Sequence, residues 1–157
     1  MKSVEELTAL FRSRGLKVTP QRQVIFRVLS STTHHPTAEA VYAAVSSELP
    51  TISLRTVYQS LNDLSAMGEL SSLDLGTGST RFDPTLEPHH HLVCGACGRI
   101  EDLHHDFPGV VLPAPVTEGF EVSSTEIVFR GRCASCAQRA VTQPPTDTAD
   151  DRHRGET

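Results

Sequence analysis

No apolar run in the 157 residues approaches the roughly 18 that a membrane-spanning helix needs. The amino-terminal segment, MKSVEELTALFRSRG, also lacks the apolar centre of a signal peptide; its pattern is that of an amphipathic helix. The chain is therefore expected in the cytoplasm, with no membrane partner. An excess of positive charge is missing too, since the formal net charge is -5. Residues 1–83 carry eight basic and eight acidic side chains, and the whole deficit falls in residues 84–157, with six against eleven. Arg12, Arg14, Lys17, Arg22, Arg27 and Arg55 lie in the neutral half. A local basic face there could still meet phosphates, so the charge permits DNA binding without indicating it. No Ser-His-Asp order and no phosphate loop is present, and nothing in the chain points to an enzyme. Four cysteines in such a compartment suggest metal or redox chemistry more than a disulfide framework.

What is present begins with four helical patterns. Val4, Leu7, Leu10 and Phe11 recur at helical spacing until Gly15. Thr19-Pro20 opens the second, with threonine as N-cap and proline at the first helical position. Its Val24/Val28 and Ile25/Leu29 are i, i+4 pairs. Thr37 caps a third that carries Val41, Tyr42, Val45 and Leu49 up to Pro50. Ser53 caps a fourth, with Leu54, Val57, Leu61 and Leu64 on one face and Gly68 at its end.

A hairpin pattern follows: Leu70, Leu73 and Leu75, a turn at 76–79, and a return through Thr80-Arg81-Phe82-Asp83. Helices followed by a β-hairpin describe a winged helix, whose helix from Ser53 would enter the major groove. Arg55, Thr56, Tyr58, Gln59 and Asn62 lie mostly off its apolar stripe and suit phosphate and base contacts, although a solvated helix face reads the same way. Pro84 and Pro88 mark a linker. Strand-like segments come next at His91–Cys94, Arg99–Leu103, Phe120–Ser123 and Glu126–Arg130. From about residue 140 the chain is polar and reads as a disordered tail. The expected fold is α+β, with a winged helix-turn-helix domain at 1–83, a hinge at 84–90, a small zinc-stapled α/β domain at 91–139, and the tail at 140–157.

Cys94-Gly-Ala-Cys97 and Cys133-Ala-Ser-Cys136 are two C-x-x-C pairs with thirty-five residues between them. A tight turn brings the two sulfurs of each pair to about 4 Å, the edge of a tetrahedral thiolate site. Four thiolates select Zn²⁺ and leave no open position, so the site is structural. Redox-active dithiols, unmetallated core cysteines and an iron–sulfur cluster of unusual spacing are the competing readings.

The second constellation is Pro88-His89-His90-His91. In an extended segment His89 and His91 project to one side and His90 to the other, so the first and third can share a metal. Asp83 ends the hairpin, Asp102 lies five residues past Cys97, and His35 precedes the third helix. Imidazole with carboxylate suits Fe²⁺, Mn²⁺ or Zn²⁺. A solvated histidine-rich linker is the other reading, because no spacing rule joins His35 to His91. His104 and His105 read as a solvated pair, a weak metal site or outer partners of the first.

The runs Lys17-Val-Thr-Pro-Gln-Arg22, His35-Pro-Thr-Ala, Ser53-x-x-Thr56-Val-Tyr58, Arg81-Phe-Asp83 and His89-His-His-Leu-Val-Cys94-x-x-Cys97-Gly together resemble the ferric uptake regulator family. The likeness runs from about residue 5 to Cys136. It implies a homodimeric repressor that binds duplex operator DNA. It further implies a regulatory metal, Fe²⁺ or Mn²⁺, held by His35, Asp83, His89, His91 and Asp102, and a structural zinc held by Cys94, Cys97, Cys133 and Cys136. Lys17, Arg22, Arg55, Thr56, Tyr58 and Gln59 become the candidate DNA contacts. Asp102, where iron-uptake members usually carry glutamate, and Arg-Phe-Asp before the linker resemble the peroxide-sensing branch. There a histidine matching His35 or His89 is oxidised and repression ends. An iron- or zinc-uptake repressor is the nearest alternative, and a metal-storing or thiol-redox protein without DNA is the alternative from another class. One departure is the proline-bearing stretch after Leu103, which leaves little room for the family's dimerisation helix.

Overall fold

The computed structural model describes residues 1–32, 34–113, 116 and 118–142. The elements run α1 (Val4–Ser13), α2 (Pro20–Ser30), α3 (Ala38–Ser46), α4 (Leu54–Ala66), β1 (Ser71–Leu73), β2 (Arg81–Asp83), β3 (His90–Cys94), β4 (Ile100–Leu103), β5 (Val128–Gly131) and α5 (Ala134–Thr142). The architecture is α+β, a winged helix-turn-helix followed by a small mixed sheet and a helix. No helix among the described residues is long and apolar enough to cross a membrane.

Each of the first four helices begins where a side-chain oxygen takes up a free backbone amide. Ser3 and Glu6 form a capping box on α1. Thr19 accepts from the amide of Arg22, Thr37 from that of Ala40, and Ser53 from that of Thr56. Helix α3 stops at Ser46, short of the expected Leu49. Helix α4 ends on Gly68, whose φ of 74° is the left-handed conformation a helix stop requires.

The helices enclose a core that includes Leu7, Phe11, Ile25, Phe26, Leu29, Val41, Val45, Val57, Leu61 and Leu64, closed below by Leu70 and Phe82 of the wing. Each such side chain stabilises by roughly 1.5–3 kcal/mol relative to exposure. Phe11 and Phe26 meet at 4.8 Å between ring centroids. The wing hairpin pairs Ser71 with Asp83, Ser72 with Phe82 and Leu73 with Arg81.

The second sheet has the order β4-β3-β5, antiparallel between β3 and β4 and parallel between β3 and β5. Its apolar cluster is small: Leu75, Val93 and Ile100 are buried, with Leu73 and Val128 against them. Two of these five come from the wing. So little buried area leaves this unit dependent on a further staple.

Three expectations change here. Phe120–Ser123 is not a strand: both edges of β3 are already occupied by β4 and β5, and Phe120 and Val122 are exposed. The last strand begins at Val128 and not at Glu126. A helix, α5, follows the last strand where only a cysteine turn was foreseen. Beyond Thr142 the polar tail lies outside the described residues.

Candidate metal centres and nucleic-acid face

The four cysteines converge. All four sulfurs lie within 4.8 Å of one another, and none is in a disulfide. Cys94 ends β3, and its carbonyl accepts from Gly98 N–H at 2.9 Å, which closes the first C-x-x-C turn. Cys133 precedes α5 and Cys136 lies in its first turn, with Cys136 N–H bonded to Cys133 O at 3.0 Å. Gly95 N–H reaches Gly131 O at 2.9 Å and locks one turn to the other. The Cys97–Cys133 sulfur separation of 3.8 Å matches the edge of a tetrahedron with bonds of about 2.3 Å, which is about 3.8 Å. Amides prepare the set for anionic sulfur. Hydrogen bonds from the backbone N–H groups of Cys133, Cys97 and Ala96 pull the Cys94 thiol down to about 6. At Cys97 a hydrogen bond from Arg99 N–H acts the same way, but bonding with the neighbouring thiols outweighs it and pushes the group up to about 11. Arg139 donates to Cys136 Sγ at 3.1 Å. Four convergent sulfurs in this environment fit a thiophilic dication.

The second cluster gathers residues distant in sequence. Phe82 N–H binds Pro36 O at 2.9 Å, and Arg81 Nη1 donates to His35 O at 3.3 Å. These bonds lay the His35 loop beside β2, which ends in Asp83. His91 and Asp102 are direct cross-strand partners on β3 and β4. His35, Asp83 and His91 are almost fully buried.

The imidazole Nε2 atoms of His89 and His91 lie 3.0 Å apart, and those of His91 and His35 3.2 Å apart. Asp83 Oδ2 is 3.1 Å from His89 Nε2 and 3.6 Å from both His35 and His91 Nε2. Asp102 Oδ1 is 3.0 Å from His35 Nε2 and 3.6 Å from His89 Nε2. Three imidazole nitrogens at such spacing cannot satisfy one another with protons. Ligand bonds of about 2.1 Å give neighbouring edges of about 3.0–3.6 Å in four- to six-coordinate geometry, the spacing seen here. Asp102 Oδ1 is buried and has no hydrogen-bond partner, as fits a lone pair kept for a cation. Asp102 nevertheless stands apart from the tightest group, in which His35, Asp83, His89 and His91 lie mutually within 4.8 Å.

Burial disfavours the Asp83 carboxylate. The hydrogen bond with His35, the amide of Thr85 and the nearby imidazoles of His35 and His89 outweigh that and hold its carboxyl below the usual range. His90 points elsewhere and accepts from Ile127 N–H at 3.2 Å. His104 stacks on His89 at 5.4 Å, and His105 packs on Phe107. Neither belongs to a metal-ligating group among the described residues.

Several partners were not foreseen from sequence. Glu126 Oε1 binds His91 Nδ1 at 2.8 Å, and Glu87 O binds His89 Nδ1 at 2.8 Å. Such contacts fix the orientation of ring ligands. An acid just before a strand carries no spacing signal, so Glu126 could not be read. Asp83-x-Thr85 could have been, because an aspartate commonly accepts from the amide two residues on.

On α4, Arg55, Tyr58 and Gln59 are exposed and Thr56 half-buried. The Tyr58 hydroxyl donates to Glu39 Oε1 at 2.7 Å. Gln59 Nε2 donates to Asp63 Oδ1 at 2.9 Å, and Thr56 Oγ1 meets Ser53 Oγ at 2.9 Å. Lys17 is exposed. Arg22 is turned inward: it donates to Lys17 O at 3.0 Å, pairs with Asp63, and stacks over Phe11 at 4.9 Å. Its geometry is that of a brace between α2 and α4.

The sequence profile of the ferric uptake regulator family matches residues 13–130. A peroxide-responsive repressor, PerR, of Staphylococcus epidermidis is 37% identical over 137 residues, covering 86% of this chain and 91% of the relative. Among solved structures, the ferric uptake regulator of Helicobacter pylori superposes with a TM-score of 0.69 at 22% identity, over 87% of this chain and 97% of that one. PerR from Streptococcus pyogenes, studied for peroxide sensing and gene regulation, superposes with a TM-score of 0.50 at 27% identity, over 87% and 94%.

Proposed function

Because this chain belongs to the ferric uptake regulator family, we propose that it is a homodimeric, metal-dependent repressor of transcription that releases its operator when hydrogen peroxide oxidises a ligand histidine. The observation that carries this reading is the convergence of three imidazole nitrogens and two carboxylate oxygens from both halves of the chain. His35 and Asp83 come from the helical half, and His89, His91 and Asp102 from the sheet half. A cation held by all five binds the closed arrangement better than an open one, and that difference sets how far DNA affinity can shift.

The residues divide the work. Cys94, Cys97, Cys133 and Cys136 hold a structural zinc that ties β3 to α5. Asp83 and Asp102 supply the negative charge that favours Fe²⁺ or Mn²⁺ among buried imidazoles. Lys17, Arg55, Thr56, Tyr58 and Gln59 present α4 and the turn before α2 to duplex DNA. Arg22 holds α4 at its angle. Fe²⁺, when bound, supplies the electron that activates peroxide beside an imidazole. His35 and His89 are the rings each placed 3.0–3.6 Å from an oxygen of both carboxylates, and one of them takes up an oxygen atom and leaves the set. The chain itself is consumed, so no turnover results.

The test is operator-type DNA binding by the zinc-loaded protein with Fe²⁺ or Mn²⁺, before and after a low dose of peroxide, with mass spectrometry of the His35 and His89 peptides. The expected result is DNA release by the Fe²⁺ form alone, with a one-oxygen gain on either peptide, and a blunted response in Asp102→Glu. If both metal forms hold DNA and neither peptide changes, the protein is a metal-uptake repressor. If no metal state binds duplex DNA, metal storage or thiol-redox chemistry replaces repression. Relatives named as peroxide-responsive repressors favour the first outcome.

A further inference from the structure

A carboxylate offers a metal one oxygen or both, and which one depends on what holds the other. Asp83 and Asp102 come from different halves of the chain and have different surroundings, yet one residue holds both. Thr85 N–H donates to Asp83 Oδ1 at 2.7 Å. Thr85 Oγ1 donates to Asp102 Oδ2 at 3.2 Å. In each case the oxygen left over, Asp83 Oδ2 or Asp102 Oδ1, faces the imidazole nitrogens at 3.0–3.6 Å.

We infer that Thr85 is a positioning residue that aims one oxygen of each carboxylate at the regulatory metal and sets the spacing between the two halves of the site. This rests on reading the cluster as the regulatory site. The two bonds do different work. The amide bond spans two residues and belongs to the turn after β2, so any residue other than proline can make it. The hydroxyl bond reaches from the linker to β4 and needs serine or threonine. Asp102 is the less buried carboxylate, with a side chain 24% exposed against 2% for Asp83. Without the hydroxyl it is free to turn outward to water, whereas Asp83 stays held. Loss of such an outer contact typically lowers metal affinity by about 10–100-fold.

The experiment is Mn²⁺ titration of the zinc-loaded protein, reading free Mn²⁺ by its paramagnetic resonance signal. Thr85→Val keeps the amide and the side-chain volume but removes the hydroxyl, and its affinity should fall about tenfold. Thr85→Ser should restore it. In an Asp102→Asn background Thr85→Val should cost little more, because the hydroxyl acts through that carboxylate. Native affinity in Thr85→Val, no rescue by serine, or an undiminished loss in the Asp102→Asn background would each overturn the assignment. His91→Ala separates the two levels: it should abolish tight binding whatever Thr85 does. If His91→Ala binds Mn²⁺ like the native chain, the reading of the cluster itself fails.

Discussion

Tyr58 stands on the exposed side of α4 with its hydroxyl already engaged by Glu39. The bond favours the protonated phenol, and with partial burial and the charge of Glu39 it raises the Tyr58 pKa above its usual value. The same bond lowers that of Glu39. Removing the carboxylate should therefore bring Tyr58 back down. In a Tyr42→Phe background, Glu39→Ala should move the midpoint of tyrosinate absorbance to lower pH; an unmoved midpoint would show that the bond does not persist in solution. Residues of this kind mark how far the sequence could be read. The alternation that puts His89 and His91 on one side of an extended segment was visible without coordinates, and the structure brings their Nε2 atoms to 3.0 Å. The approach of His35 to His91 was not, because it depends on the His35 loop bonding to Arg81 and Phe82, 46 residues away. Glu126, Glu39 and Asp63 were invisible for the same reason: an outer partner is defined only by where the chain returns.

Secondary elements were legible where the backbone needs a particular chemistry. Thr19, Thr37 and Ser53 each cap the helix they were expected to cap. Ser53 matters most, since it starts the helix proposed to read DNA. Ser53→Ala should cost about 1 kcal/mol of stability, seen as a lower thermal midpoint, and Ser53→Asp should recover it. An unchanged midpoint in the alanine variant would mean that the first turn of α4 is held by its tertiary contacts alone. Elements were misread where only hydrophobicity spoke. Phe120–Ser123 has the composition of a strand, but β3 has no free edge for it to join. Helix α5 was hidden by its cysteines, which drew attention to the turn, although Ala134, Ala137, Gln138, Arg139 and Ala140 are good helix formers.

Across the whole molecule the wing belongs to both cores. Leu70 and Phe82 close the helical core, while Leu73 and Leu75 enter the small cluster of the sheet. Two arginines fasten the same junction. Arg81 donates to His35 O and Gly98 O, and Arg130 donates to Leu75 O. The regulatory cluster therefore sits in a joint that has contacts of its own. Leu75→Ala should lower stability by about 2–3 kcal/mol, the low end for a buried leucine because the cluster is near the surface. It should also speed hydrogen exchange in β1 and β2 while leaving the centre of α2 unchanged. Exchange that stays slow in the hairpin would show that its pairing is independent of the sheet.

Anyone grafting the DNA-reading head of this protein onto the sheet of a relative meets that joint first. A splice at the linker looks natural from the proline spacing. It would separate Leu73 and Leu75 from Val93 and Ile100, and Arg81 from the carbonyl of Gly98. Heads and sheets of such regulators are interchangeable, on this view, only when the wing's leucines find matching volume in the sheet that receives them. The pair has to diverge together, and the hairpin, more than the hinge, is where inheritance of the two halves is joined.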